Sequence, residues 1–595
     1  MKLCLTNEHL VMELLFEHGM FIRQCTALPS DVPTTYDTNG ELFTLQNKGR
    51  LLPSSLFEIA DISTFKDATE ELCTVTAFYS VLSLKIRICF LNNLTDTISI
   101  IFQIEDISPA EQHQNYYFHS PFLSSLHLNQ PQTDRIYYPA SPVPKGDGLS
   151  AIQLHPLIHL PLVLTDKDDG VGLSVSFPAF DEPEAAAQNR NLEFQKISSS
   201  AELKSHSFLL RLNEFPADIA EFSICGLSNG WCEAFNRVRK DFRETLDLRE
   251  YKKETLSWFQ NTFLHHFTFL YSKESYDYDA GKPDIAQLAN DGMEFGGYDT
   301  MTLWHQYPRL GVDPRTQWDF FRDFPGSLQG IAAVVRIAHQ NGIKVLLPYK
   351  PWDISNNQSM DDVLDEICAL LKDTDADGFF LDTMSQISHE FRANADKIKP
   401  ETVFCSELHP DTKDSLAVLT ASWDQFWNVP CMPEVDLLRF VLPEHTAPQI
   451  SRWQNGDEKN TCIKRAIFSG TGIVIWQDVF GAWLPYSQSQ KAIIKKYKSL
   501  WMKFKNYFQG PEPIPCYPTE RDKLYCNRFT DLQNTGSIYT FYNDSDKDIS
   551  GFLIQHKASN ASHCSDIWDA TDFEIDNHRI TGAVRAKNIA IIYVH

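Results

Sequence analysis

The stretch Gly378-Phe379-Phe380-Leu381-Asp382-Thr383-Met384-Ser385 (378–385) reads as a short strand, apolar on both faces, that ends on a carboxylate. A strand buried on both sides belongs in a parallel sheet covered by helices. An acid at its C-terminal end is what a (β/α)8 barrel enzyme requires, because such barrels place their chemistry on that rim.

The same plan recurs on either side of this strand. Between about 255 and 505, apolar runs at 266–271, 300–305, 343–349, 378–382, 402–407, 421–427, 437–444 and 472–476 alternate with segments of helical spacing. Val363, Leu364, Ile367, Leu370 and Leu371 share one helix face, and Ser359 with Asp362 forms a capping box in front of it. Leu328, Ile331, Val334, Val335 and Ala338 form another such face, followed by Gly342 where a helix C-terminus favours glycine. Eight strand–helix units imply a closed barrel, with an open doubly wound sheet as the alternative.

The flanks follow a different period. Residues 1 to about 228 carry short period-two runs such as LKIRICFL (84–91) and ISIIFQI (98–104), which predict an antiparallel β-sandwich. Residues 181–204, rich in Glu and Ala, read as a loop within it. Trp231, Phe235, Val238 and Phe242 mark an amphipathic connector helix. Beyond the proline-rich GPEPIPCYP (510–518), the runs SIYTFYN, SGFLIQ and NIAIIYV predict a small β-sandwich. The expected domains are 1–250 (sandwich and connector), 251–508 (barrel) and 509–595 (C-terminal β-domain).

Composition bounds the function. The chain has 595 residues, so it should divide into several domains, and 43% hydrophobic residues is enough to bury their cores. A net charge of −25 argues against nucleic acid or anionic membrane as partners, both of which need basic patches. Thirteen scattered cysteines without a CxxC pair fit free thiols in a reducing compartment. The N-terminus lacks a signal-peptide pattern, and no stretch approaches the roughly 18 apolar residues of a membrane span. A cytoplasmic protein is expected. The oligomeric state is left open, homo-oligomers included. No HExxH, P-loop or GxSxG motif is present, so neither a metal nor another cofactor is called for.

The expected strand ends collect acids and aromatic rings. Trp304 and His305 follow the second strand, Trp352 and Asp353 the third, Asp382 the fourth, and Glu407 and His409 the fifth. Asp424 lies on the sixth, Glu444 and His445 follow the seventh, and Trp476 and Asp478 the eighth. Indole faces stack on the apolar side of a pyranose, and paired carboxyls do glycosidic chemistry. The long segment 304–327 adds Tyr307, Arg309, Trp318 and Arg322 as candidate walls of a substrate site.

ADGFFLDTMSQISH (376–389) resembles the strand-four region of the alpha-amylase superfamily that presents the nucleophilic aspartate, and VFCSELHPD (403–411) is similar to its strand-five segment with the acid/base glutamate. HQNGIKVLLPYKPWD (339–353) and SGTGIVIWQDVFG (469–481) resemble its strand-three and strand-eight regions. The resemblance implies a glycoside hydrolase or transglycosidase for an α-linked oligosaccharide or glycoside, with Asp382 as nucleophile and Glu407 as acid/base of a retaining mechanism. Phe380 stands where that superfamily has an arginine, and Pro348 where it has an aspartate. The alpha-galactosidase and family-31-type alpha-glucosidase groups take the acid/base from strand six, which here offers Asp424. The substrate-binding candidates are Trp304, His305, Arg309, Trp352, Asp353, His445 and Asp478. A barrel that binds carbohydrate without turnover, or a sugar isomerase or lyase, would share these features.

Overall fold

A computed structural model describes residues 2–16, 19–27, 35–111, 115–119, 126–127, 135–137, 148–153, 157–158, 160–166, 169–176, 191–197, 200–205, 207–211, 216–305, 315–354, 358–425, 428–533, 535–557 and 563–595. The chain folds into two compact units, Met1–Val238 and Arg239–His595.

The first unit is built from antiparallel sheets, two of eight strands and one of four. Strand Leu84–Asn92 shows how the sequence makes them. Leu84, Ile86, Ile88 and Phe90 are buried, whereas Lys85 and Arg87 are exposed. A period of two thus gives each strand one face for the core. Strands from all three sheets contribute to a single apolar core that includes Leu14, Leu45, Ile88, Ile100, Phe118 and Phe222. The 181–204 stretch is not a loop throughout. Asn191–Ile197 and Ser200–Ser205 pair as an antiparallel hairpin, and the acidic, alanine-rich run beside them had hidden the alternation of Leu192 and Phe194. Residues 181–190 lie outside the described residues. The expected connector helix runs Gly230–Glu244, with Trp231, Phe235 and Phe242 buried.

The second unit contains the barrel. Its strands are Leu264–Phe269, Thr300–Trp304, Lys344–Tyr349, Gly378–Leu381, Val403–Ser406, Ala421–Ser422 continued by Asp424–Gln425, Gln449–Ile450 and Ile473–Ile475. They are barrel strands one to eight, in that order. Neighbours pair in parallel around the ring. Strand eight pairs with strand one. Ala421–Ser422 pairs with strand five, and Asp424–Gln425 with strand seven. Because those two segments adjoin in sequence, the ring is closed and the open-sheet alternative falls. The capping box of Ser359 and Asp362 starts helix Met360–Thr374, and Gly342 has φ +74° directly after helix Ser327–Gln340 and its cap Asn341.

One expected strand is a helix. Residues 437–441 form Leu437–Val441, and strand seven lies later, at Gln449–Ile450. A short apolar run does not distinguish a buried strand from a buried helix by its period. The decisive local feature is Asp436, whose carboxylate accepts the Leu438 N–H at 3.0 Å and caps the helix start.

At the bottom of the barrel, a Cβ on Gly378 would lie 2.1 Å from the Val403 carbonyl oxygen, so strand four requires glycine there. The C-terminal segment forms two antiparallel sheets, of four and three strands. It is tied to the barrel by Asn527 and Thr540, whose side chains both donate to the Phe468 carbonyl, at 2.8 and 2.7 Å.

Candidate active site

The barrel interior is filled by one apolar cluster to which every strand contributes, through Phe267, Trp304, Leu346, Phe380, Cys405, Trp423, Ile450 and Trp476 among others. Side chains alternate along a strand, so inward positions recur every second residue. Counting up from the packed layer puts Lys350, Asp382, Glu407, Gln425 and Arg452 on the inner side at the C-terminal ends of strands three to seven.

The contacts agree with that count. The Asp382 and Glu407 carboxyls stand side by side, near enough for Glu407 to act on Asp382. Glu407 accepts the Thr383 N–H at 2.8 Å and the Arg452 guanidinium at 3.3 Å. The same Arg452 nitrogen reaches the Gln425 side-chain oxygen, also at 3.3 Å. Asp382 accepts the Trp352 indole N–H at 3.2 Å. Lys350, fully buried, forms an ion pair with Asp353 at 2.8 Å. Thr383 has φ +57°, a left-handed conformation that costs a β-branched residue energy and that sets its N–H on Glu407.

Two buried neighbouring carboxyls do not both ionise readily. Burial, followed by the hydrogen bond and charge of Glu407, pushes Asp382 up to about 7, against the opposing Trp352 N–H and Lys350 charge. Burial also lowers Lys350, opposed by Asp353 and Asp382. Glu407 accepts from the Thr383 N–H and Arg452, and the rise of Asp382 favours a proton on its own carboxyl when no substrate is bound.

Asp424 is out of phase with the inner ring. Its neighbour Trp423 points inward, and Asp424 itself points outward, where Arg465 of helix Asp457–Ser469 pairs with it. His409 lies 3.9 Å from Asp424 and 3.6 Å from Asp436, which burial, reinforced by Asp424, raises against the charge of His409. His445 belongs to the same outer network. Its ring nitrogens meet Tyr251 Oη at 3.0 Å and Ser422 Oγ at 2.8 Å, and burial together with His409 lowers it to about 3. Glu444 forms a bidentate pair with Arg243 at 2.7 Å. Neither Glu444 nor His445 is brought to Asp382, because the expected strand-seven segment before them is a helix, and Asp424 is turned away by its phase. Asp424→Ala should therefore lower stability by about 3–5 kcal/mol, the cost of leaving Arg465 buried without its partner. Thermal melting reads that loss, and a variant melting like wild type would show the pair to be dispensable.

The remaining candidates are distributed around the rim and behind it. Trp304 is buried in the inner layer against Phe267 and Phe380. His305 points the other way, onto Phe321 at 4.8 Å. Trp352 is 39% exposed beside Asp382. Asp478 accepts Ser272 Oγ at 2.8 Å and the Gly481 N–H at 3.0 Å, which anchors a hairpin. Trp318 donates to Gln358, and Arg322 pairs with Glu366, so both pin the 304–327 segment to its neighbours. Tyr307 and Arg309 lie outside the described residues.

Lys350, Gln425 and Arg452 went unrecognised in sequence. Lys350 and Gln425 were accessible by counting every second residue from Pro348 and Trp423, but Arg452 was not, because strand seven was misplaced. Among the described residues, no group of three or more His, Cys, Asp or Glu side chains is placed to hold a metal ion. No described helix is long and apolar enough to cross a membrane.

No family model and no curated protein matches the chain. Among solved structures, it is similar to a GH36 alpha-galactosidase from Geobacillus stearothermophilus crystallised with raffinose, at 10% identity over 100% of both chains and TM-score 0.47. An alpha-galactosidase from Lactobacillus brevis matches at 10% identity over 100% of this chain and 98% of that one, with TM-score 0.45. An Anoxybacillus alpha-amylase matches at 12% identity over 56% of this chain and 98% of its own, with TM-score 0.40. At these values the site is read from its own geometry.

Proposed function

We propose that the protein is a retaining glycosidase, with Asp382 as nucleophile and Glu407 as general acid/base. The observation that carries this reading is the placement of two carboxyls on the inner side of adjacent barrel strands at their C-terminal ends, near enough for Glu407 to act on Asp382. An inverting pair stands roughly 6.5–9.5 Å apart to admit water between acid and base, and a retaining pair roughly 5–5.5 Å apart; neighbouring strands bring the two carboxyls into the closer class.

In the first step, the anomeric carbon placed over Asp382 favours its anion, and the shared proton moves onto Glu407. A carboxylate oxygen of Asp382 forms a bond to that carbon as the glycosidic C–O bond breaks, and Glu407 gives its proton to the departing oxygen. In the second step, Glu407 takes a proton from water, the water oxygen bonds to the anomeric carbon, and the ester to Asp382 breaks. Trp352 N–H and Lys350 steady the Asp382 anion, and Arg452 and the Thr383 N–H orient Glu407. The α-linkage preference follows the resemblance of the strand-four and strand-five segments. Raffinose and stachyose, each bound by a crystallised α-galactosidase among the structural neighbours, are natural first substrates to try.

Turnover requires one proton on the pair. With Asp382 raised to about 7, that proton is lost above neutrality, so kcat/KM falls as pH rises through about 7. A pH–rate profile on any cleaved glycoside checks this, and a profile flat between about pH 6 and 9 would contradict it.

A further inference from the structure

We propose that Trp453 and Phe480 form an aromatic shelf that binds the face of a second sugar ring, beyond the ring attached at Asp382. The inference rests on the glycosidase reading and extends it to a subsite on the strand-seven and strand-eight side of the barrel mouth.

Both side chains are large, apolar and exposed, at 43% each. Single exposed hydrophobics are ordinary, but these two are stacked on one another, with ring centroids 5.7 Å apart and an interplanar angle of 28°. Phe480 also packs inward against Trp476 at 5.2 Å and Phe269 at 5.9 Å, so the pair is fixed to the barrel interior.

The backbone beneath the shelf adds an independent observation. Asp478–Val479 and Ala482–Trp483 pair as a hairpin around Phe480 and Gly481, whose φ values are +51° and +86°. Two-residue turns with positive φ at both positions favour Asn-Gly, and a bulky residue at the first position is strained. A phenylalanine in that position contributes nothing to the turn that asparagine would not do better. Strain of this kind collects at functional sites. Asp478, hydrogen-bonded to Ser272 and to the Gly481 N–H, holds the turn in place.

Arg452 identifies the occupant. Its guanidinium carbon lies 5.3 Å from the Trp476 ring centroid and 5.7 Å from that of Phe480, and its Nη1 contacts Glu407. One side chain therefore connects the acid/base carboxyl to the shelf, and a saccharide whose scissile oxygen meets Glu407 extends over these rings. Trp483 is also exposed, but the Lys273 ammonium sits 3.6 Å from its ring centroid, against 5.7 Å for Arg452 over Phe480, and covers that face. The shelf is thus Trp453 and Phe480.

The test compares Phe480→Asn and Trp453→Ala with wild type on two kinds of substrate. Phe480→Asn removes the ring while giving the turn the residue it favours, so loss of folding does not confuse the result. Alpha-glucosyl and alpha-galactosyl fluorides present one sugar ring and no second; maltotriose, raffinose and stachyose present more. The expected result is that the ratio of kcat/KM on oligosaccharide to that on fluoride falls about 3- to 10-fold in each variant, through KM, as for the loss of one aromatic contact. An unchanged ratio overturns the shelf. If wild type cleaves none of these compounds, the glycosidase reading fails, and titration of the oligosaccharides by tryptophan fluorescence decides the shelf separately. Weaker binding by both variants then supports it. Binding equal to wild type, or none by wild type, overturns it.

Discussion

Asp382→Asn is expected to lose turnover by a factor on the order of 10⁴ or more, as for removal of a nucleophile, and yet to melt at a higher temperature than wild type at pH 8. The two effects have one cause. Burial and the Glu407 carboxyl raise Asp382 to about 7 in the folded protein, against an ordinary aspartate near 4 when unfolded. Between those values the folded state binds more protons than the unfolded state, so stability falls as pH rises through that window. Above about 7 the full cost is present. Asparagine cannot ionise and is free of it, so the gain in melting temperature should be largest at pH 8 and vanish near pH 4. Activity near wild type across a broad glycoside panel would sink the nucleophile assignment. A variant that melts lower than wild type at pH 8 would sink the electrostatic account.

Asp377, five residues earlier, has the opposite character. Burial would raise it, but hydrogen bonds from His339, Lys344 and the Val345 N–H, with Lys399 nearby, outweigh that and hold it down to about 2. Its contribution to stability is present above the ordinary carboxylate value and is lost as pH falls toward 2. One acid, at the N-terminal end of strand four, is held ionised and stabilises the barrel, and the other, at the C-terminal end, is raised by burial and Glu407. That division follows the two faces of the fold.

Much of this was legible in the sequence. Gly378 to Asp382 announced a buried strand ending in an acid, and the alternation of apolar runs with helical spacing gave the closed barrel. Local motifs such as Ser359 with Asp362 read correctly because a capping box acts within four residues. The failures were non-local. LLRFVL at 437–442 is apolar except for Arg439 and carries no distinguishing period, and the Asp436 cap starts it as a helix. That one error displaced strand seven, attached Glu444 and His445 to the rim, and concealed Arg452. Which of Glu407 and Asp424 faces the barrel interior depended on the phase of strand six, which shows in Trp423 packing on Phe380 inside the barrel. The sign of each acid's shift depended on partners from other strands, which spacing within one segment does not reveal.

Glu407→Gln separates the acid role from the base role. The first step needs a proton only when the departing oxygen is a poor leaving group, so alkyl glycosides and oligosaccharides should lose about 10²- to 10⁴-fold in kcat/KM. Glycosyl fluorides, whose leaving group needs little protonation, should lose far less in kcat/KM. With them the second step becomes limiting, because glutamine cannot take a proton from water, and kcat should drop while KM falls with it as the ester to Asp382 accumulates. Azide, a nucleophile that needs no base, should then restore turnover and give a glycosyl azide of the same anomeric configuration as the substrate. Loss of activity uniform across leaving groups, with no azide effect, would remove Glu407 from the acid/base role. Asp424→Asn provides the contrast. Asp424 faces Arg465 outside the barrel ring, so any loss in that variant should track its melting temperature, show no dependence on the leaving group and be insensitive to azide. If Asp424→Asn shows the leaving-group dependence instead, the proton donor stands on strand six and the inward phase of Glu407 serves only to raise Asp382.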